Sequence, residues 1–111
     1  MRRAAKVDSN QTDIVGKLRK IPGISVYVTS AIGNGFPDIV VGFRGRSHLI
    51  EIKDGAKTAS RRKLTPDEIK FKDKWTGCYF VGNSFDEIID YLFNQPKGAK
   101  TTFNYGNKRY R

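Results

Sequence analysis

Cysteine is almost missing from this chain. Cys78 stands alone, so no intrachain disulfide is possible and no thiolate metal site can be built within one chain; Cys78 is read as a small apolar strand residue. Long apolar runs are missing too: none approaches the roughly 18 to 20 residues of a membrane-spanning helix, and no helix sets a polybasic face against a broad apolar one. That argues against a membrane partner. The opening MRRAAKVDSN has two arginines without the apolar segment of a signal peptide, and an intracellular, cytoplasmic protein is expected. Acidic residues are scarce, 11 against 21 lysines and arginines, leaving a formal charge of +10 on 111 residues. Such an excess in one small domain points to a polyanion, with nucleic acid as the leading partner.

What is present is well punctuated and shows no internal repeat. DSNQTDIVGKLRKIPG carries Ile14, Val15, Leu18 and Ile21 at helical spacing and stops at Pro22-Gly23. ISVYVTS reads as a strand, AIGNGFP as a glycine-rich loop, and DIVVGF and HLIEIK as two further strands joined by RGRS. A basic linker leads to LTPDEIKFKDKW, where Thr65, Pro66 and Glu68 mark a helix start with a capping box. CYFV is a fourth strand, and SFDEIIDYLF a last helix opened by Ser84 with Glu87. The order helix, three strands, helix, strand, helix predicts an α/β domain with one mixed sheet covered by helices.

Three charges interrupt two strands that otherwise read as buried. In residues 35 to 55, Asp38 opens one strand while Glu51 and Lys53 close the next. Alternation sends Ile50 and Ile52 to the core and Glu51 and Lys53 to the other face, with His48 opposite Glu51. If RGRS turns in an even number of residues, opposed positions sum to 91, which sets Asp38 opposite Lys53 and Val40 opposite Glu51. All three charges then share one face at one end of the hairpin; an odd loop would part Asp38 from the others. Two carboxylates suit a hard cation such as Mg²⁺, which offsets their repulsion and acidifies an attacking water. Lys53 either orients that water or stabilises charge on a phosphoryl group. Spacing alone leaves a plainer reading open, a cross-strand ion pair of Asp38 and Lys53 beside a solvated Glu51.

Gly35-Phe36-Pro37-Asp38, 12 residues, then Glu51-Ile52-Lys53 resembles the PD-(D/E)xK nuclease signature. More narrowly, the chain resembles the stand-alone VRR-NUC (virus-type replication-repair nuclease) domains of phages. The likeness lies in DSNQTDIVGKLRK, GNGFPDIVVGFRG, LIEIKDG with SRRKLTPDEIKF, and VGNSFDEI, across roughly residues 7 to 90. It implies a restriction-endonuclease-like αβββαβ core with a mixed sheet flanked by helices, plus a C-terminal helix, over residues 1–95, and a basic tail over 96–111. It implies a DNA phosphodiesterase dependent on Mg²⁺ or Mn²⁺, with Asp38, Glu51 and the Ile52 backbone carbonyl as metal ligands and Lys53 as the catalytic lysine. Many relatives complete the site with a glutamate on the first helix. This helix has none, so the place falls to Asp8, Gln11 or Asp13 or stays unfilled, and Asp8 with Gln11 reads equally as a capping box.

Small VRR-NUC proteins resemble Holliday-junction resolvases, which implies a homodimer with two sites related by a two-fold axis. Flap-cutting, nicking and restriction-like nucleases remain as alternatives, as does an inert basic DNA-binding module. Phosphates would be held by Lys57, Arg61, Arg62 and Lys63 in the linker and by Arg44 and Arg46 in the hairpin turn. Ser30 is a further candidate for polar support. Trp75, four residues after Phe71, is assigned to the core or a dimer interface in preference to a base-stacking platform. The tail, with Phe103, Tyr105 and Tyr110, is either disordered or ordered on DNA.

Overall fold

The computed structural model describes residues 10–98; Asp8 and the aromatic residues of the tail lie outside them. Seven elements follow the expected order: α1 (Gln11–Arg19), β1 (Ser25–Val28), β2 (Ile39–Phe43), β3 (Arg46–Ile52), α2 (Pro66–Lys74), β4 (Cys78–Gly82) and α3 (Phe85–Phe93). Short 3₁₀ turns occupy Ser30–Ile32 and Ala59–Arg62. The sheet runs β1-β2-β3-β4, antiparallel except for the parallel pair β3 and β4. A parallel pair needs a crossover connection, and α2 lies within it.

Alternation divides the strands into two unlike faces. Val26, Ile39, Val41, Ile50 and Ile52 join Ile14, Leu18, Ile88 and Leu92 in one core between the sheet and the helices α1 and α3. His48 shares this face, buried to 1% exposure, its Nδ1 paired at 2.9 Å with the Tyr91 hydroxyl of α3. The other face carries Leu49, Glu51 and Tyr79 and meets α2 through Phe71, whose ring lies 6.2 Å from that of Tyr79. Helix α2 buries none of its own residues, and Trp75 at its C-cap is 42% exposed, outside the core.

The hairpin turn lies one residue earlier than the sequence reading centres it. Arg44 and Gly45, at φ 54° and 78°, form a two-residue loop of the type favoured by strand twist, and β3 begins already at Arg46. Opposed positions therefore sum to 89, as in Ile39 opposite Ile50, and not to 91. Val40 faces Leu49, and the regular pairing ends at Ile39, one residue after Asp38. Because the slip is two residues, every side chain stays on its predicted face.

The helix caps differ from one another. Thr65 and Glu68 close the expected capping box on α2. In α3, Ser84 Oγ accepts the Glu87 N–H, but Glu87 Oε1 reaches one residue further, to the Asn83 N–H. In α1 the N-cap is Asn10, without a side-chain cap, and Gln11 turns inward to donate to Ser30 Oγ at 3.4 Å instead of closing a box. Among the described residues no helix is long and apolar enough to cross a membrane.

Candidate active site

Asp38, Glu51 and Lys53 converge at the end of the sheet where β2 begins and β3 ends. The Asp38 N–H donates to the carbonyl of Ile50, the residue that pairs with Ile39, at 3.1 Å. Its carboxylate Oδ2 accepts the Ile52 N–H at 2.7 Å, which fixes the acid against the neighbouring strand. Lys53 prolongs β3, donating its own N–H to the Gly82 carbonyl. Its ammonium lies 3.5 Å from Glu51 Oε2. Glu51 is 4% exposed and Lys53 9%, so the plainer reading of a solvated Glu51 fails. Asp38 and Lys53 are not directly opposed in this register, but the Lys53 charge still acts on the Asp38 carboxyl.

A fourth charged group, Glu68 of α2, belongs to the same cluster. Its Oε1 accepts from Lys53 Nζ at 2.9 Å while also accepting the Thr65 N–H of the capping box. The sequence reading assigned Glu68 to the cap alone, and because that role accounts for a glutamate here completely, no signal remained to mark a second. Tyr79 was missed as well. Among the described residues its hydroxyl is buried without a hydrogen-bond partner, on the same sheet face as Glu51 and two residues from Val81, which pairs with Glu51. An alternating apolar strand conceals such a residue until its register is known.

Three carboxylates around one ammonium set the electrostatics. Burial first, then the charges of Asp38 and Glu68, push the Glu51 carboxyl up to about 9. Burial also raises Asp38, against the opposing pull of the Ile52 N–H. Burial would raise Glu68 too, but the Thr65 N–H and Lys53 outweigh it, and the carboxyl is held below its usual value. Tyr79 is raised by burial and by the negative charges of Glu51, Glu68 and Asp38. Among the described residues of the cluster, Asp38, Glu51 and Glu68 share the one ammonium of Lys53.

The first turn of α1 borders the site. The Asn10 side-chain amide donates to the Lys53 carbonyl at 3.2 Å, while its Oδ1 is buried without a partner among the described residues. Gln11 is 5% exposed, and its Oε1 is likewise unpartnered. Ser30 is tied in through Gln11, and Thr29 beside it donates its N–H to the Asp38 carbonyl at 2.7 Å. All three helices begin at this end of the sheet, near the C-terminal ends of the parallel strands, where α/β proteins place ligands and helix termini carry partial positive charge.

The predicted phosphate contacts separate into two groups. Lys57, Arg61, Arg62 and Lys63 lie in the segment that leaves Lys53, with Arg61 and Lys63 exposed and Arg62 Nε donating to the Lys57 carbonyl at 3.0 Å. Arg44 and Arg46 sit at the far end of the hairpin, about 20 Å along β2 from Asp38. Arg44 caps the Phe93 carbonyl at 3.3 Å and covers the Phe43 and Phe93 rings. Arg46 donates to Cys78 Sγ at 3.2 Å. The structure does not bring this pair to the site.

No protein-family model, curated protein or solved structure matches the chain.

Proposed function

We propose that the protein is a metal-dependent endonuclease that hydrolyses DNA phosphodiester bonds at branched DNA, four-way junctions in particular, as a homodimer. The observation that carries this reading is the convergence of half-buried Asp38 with buried Glu51 and Lys53 on one face at the end of the sheet, Lys53 Nζ standing 3.5 Å from Glu51. The resemblance in GFPD and EIK and the charge of +10 support it.

The donor set fits Mg²⁺ or Mn²⁺. Asp38, Glu51 and the Ile52 carbonyl offer hard oxygen ligands; burial first and the neighbouring carboxylates second push Glu51 up to about 9, and a divalent cation would offset that repulsion. Among the described residues no group of three or more His, Cys, Asp or Glu side chains is placed to hold a metal ion. Mg²⁺ needs none, since it keeps several waters and takes one or two carboxylates. When bound, such an ion supplies Lewis-acid charge at the scissile phosphate and acidifies the attacking water.

The side chains contribute position and charge. Asp38 is held beside Glu51 by the Ile52 N–H. Lys53, held between Glu51 and Glu68, presents an ammonium to stabilise negative charge developing on the phosphoryl oxygens. Arg61 and Lys63 hold flanking phosphates without reading bases. A C₂ dimer would supply two such centres for paired cuts.

The test is cleavage of an end-labelled immobile four-way junction beside flap and linear duplex controls, with Mg²⁺, Mn²⁺ or EDTA, by wild type and Asp38→Asn. Paired symmetric cuts that require metal and vanish in the variant are expected. Binding without cleavage under every metal condition would sink the enzyme and leave a DNA-binding module, while equal cutting of flaps or duplex would remove the junction preference.

A further inference from the structure

Trp75 is the sole tryptophan of the chain, and it is ordered without being buried. Three contacts fix the indole. Its Nε1 donates to the Cys78 carbonyl at 3.3 Å, and its ring lies nearly parallel to that of Phe71, with centroids 5.4 Å apart and planes 19° apart. It also rests on Gly77, where a Cβ would come within 2.9 Å of the indole nitrogen, so only glycine lets the ring lie this close. Phe71 is anchored in turn by Phe36, with ring centroids 5.2 Å apart. The side chain nevertheless remains 42% exposed.

The surroundings of the ring say what it meets. Phe71 and Trp75 line a cleft of about 270 Å³ together with Asn34, Asp67, Lys70 and Lys74. Two lysines one helical turn apart beside a fixed aromatic plane suit a nucleotide, with its base on the ring and its phosphates on the ammonium groups. Asp67 is the one acid in this lining, leaving an excess of positive charge. Along α2, Trp75 lies seven residues beyond Glu68, about 10 Å. A strand held at Lys53 can therefore reach it.

We propose that Trp75, backed by Phe71 and flanked by Lys70 and Lys74, is a stacking site for an unpaired base of single-stranded DNA next to the cleavage centre. It deepens the DNA-cleavage reading by assigning the enzyme an unpaired nucleotide beside the cut, the feature that separates branched or frayed DNA from an intact duplex. An aromatic face is indifferent to base identity, so this contact selects structure over sequence.

The test uses the emission of Trp75 itself, in the full chain with EDTA so that nothing is cleaved. An oligothymidylate and an abasic oligonucleotide of equal length carry the same phosphates, and only the first has bases. The thymidylate is expected to quench the emission and to bind about tenfold more tightly, a preference lost in Trp75→Leu. Lys70→Ala with Lys74→Ala is expected to weaken both oligonucleotides alike. Equal affinity for the two with unchanged emission would overturn the stacking site. So would an emission shift on dilution without DNA, with Trp75→Leu converting a dimer to monomers, since the ring would then be covered by a second copy. Because the readout is binding, a stacking site in a chain that never cleaves DNA would still be detected, and failure of the nuclease is distinguishable from failure of this contact.

Discussion

Glu68 uses one oxygen for two tasks, accepting the Thr65 N–H and the Lys53 ammonium, both at 2.9 Å. Two substitutions separate the tasks. Thr65→Ala removes the hydroxyl that accepts the Glu68 N–H, a cap whose loss costs about 1 kcal/mol, while the ion pair with Lys53 stays. Glu68→Gln keeps the box, because glutamine serves as well at that position, but takes the counter-charge from Lys53. If Glu68 positions the lysine, Thr65→Ala lowers the thermal midpoint with little effect on junction cleavage. Glu68→Gln does the reverse, reducing kcat on the order of 10- to 100-fold with DNA binding retained. Equal losses of stability and cleavage in both variants would reduce Glu68 to a capping residue.

Elements carry this positioning over longer distances. The loop before β2 touches the first turn of α2 at Gly35, which has φ 83° and leaves no room for a side chain: a Cβ there would lie 2.2 Å from the Asp67 carbonyl oxygen. Gly35→Ala must both strain the backbone and push α2 outward, moving Glu68 from Lys53. A loss on the order of 1–3 kcal/mol in denaturant unfolding is expected, with cleavage reduced further than in Thr65→Ala. Across the sheet, β3 is tied to α3 through His48 and Tyr91. Burial, then the Arg46 guanidinium, hold the His48 imidazole below its usual 6.5. Below about that pH the unfolded chain takes up a proton that the native histidine refuses, so this contribution to stability is complete above it and falls on acidification. Thermal midpoints should therefore decline between about pH 7.5 and 5.5 more steeply in wild type than in His48→Gln. Identical slopes would show that His48 titrates no differently in the two states.

At the scale of the whole molecule, the parts legible in the sequence are those set by local periodicity. Element order, the mixed α/β class and the shared face of Asp38, Glu51 and Lys53 follow from alternation and caps. The hairpin register does not, because RGRS admits a two-residue turn at more than one position, and the positive φ of Arg44 and Gly45 marks the earlier one. Glu68 and Tyr79 join the site through α2 packing and strand pairing, neither of which sequence spacing encodes. Charge was legible in amount and not in place. Of the six basic residues expected on phosphate, Arg44 and Arg46 are spent on the Phe93 carbonyl and on Cys78, at the end of the sheet away from Asp38. The salt dependence of DNA binding distinguishes the groups. Each phosphate contact contributes about 0.9 to the slope of log affinity against log salt on duplex DNA. Arg61→Ala with Lys63→Ala should lower the slope by about 1.8 if both side chains hold phosphates. Arg44→Ala should leave the slope unchanged and lower thermal stability instead, since it removes a carbonyl cap and the cover over two aromatic rings. A slope reduced by Arg44→Ala and untouched by the linker pair would place the DNA across the hairpin turn, away from Lys53, and the catalytic reading would lose its substrate path.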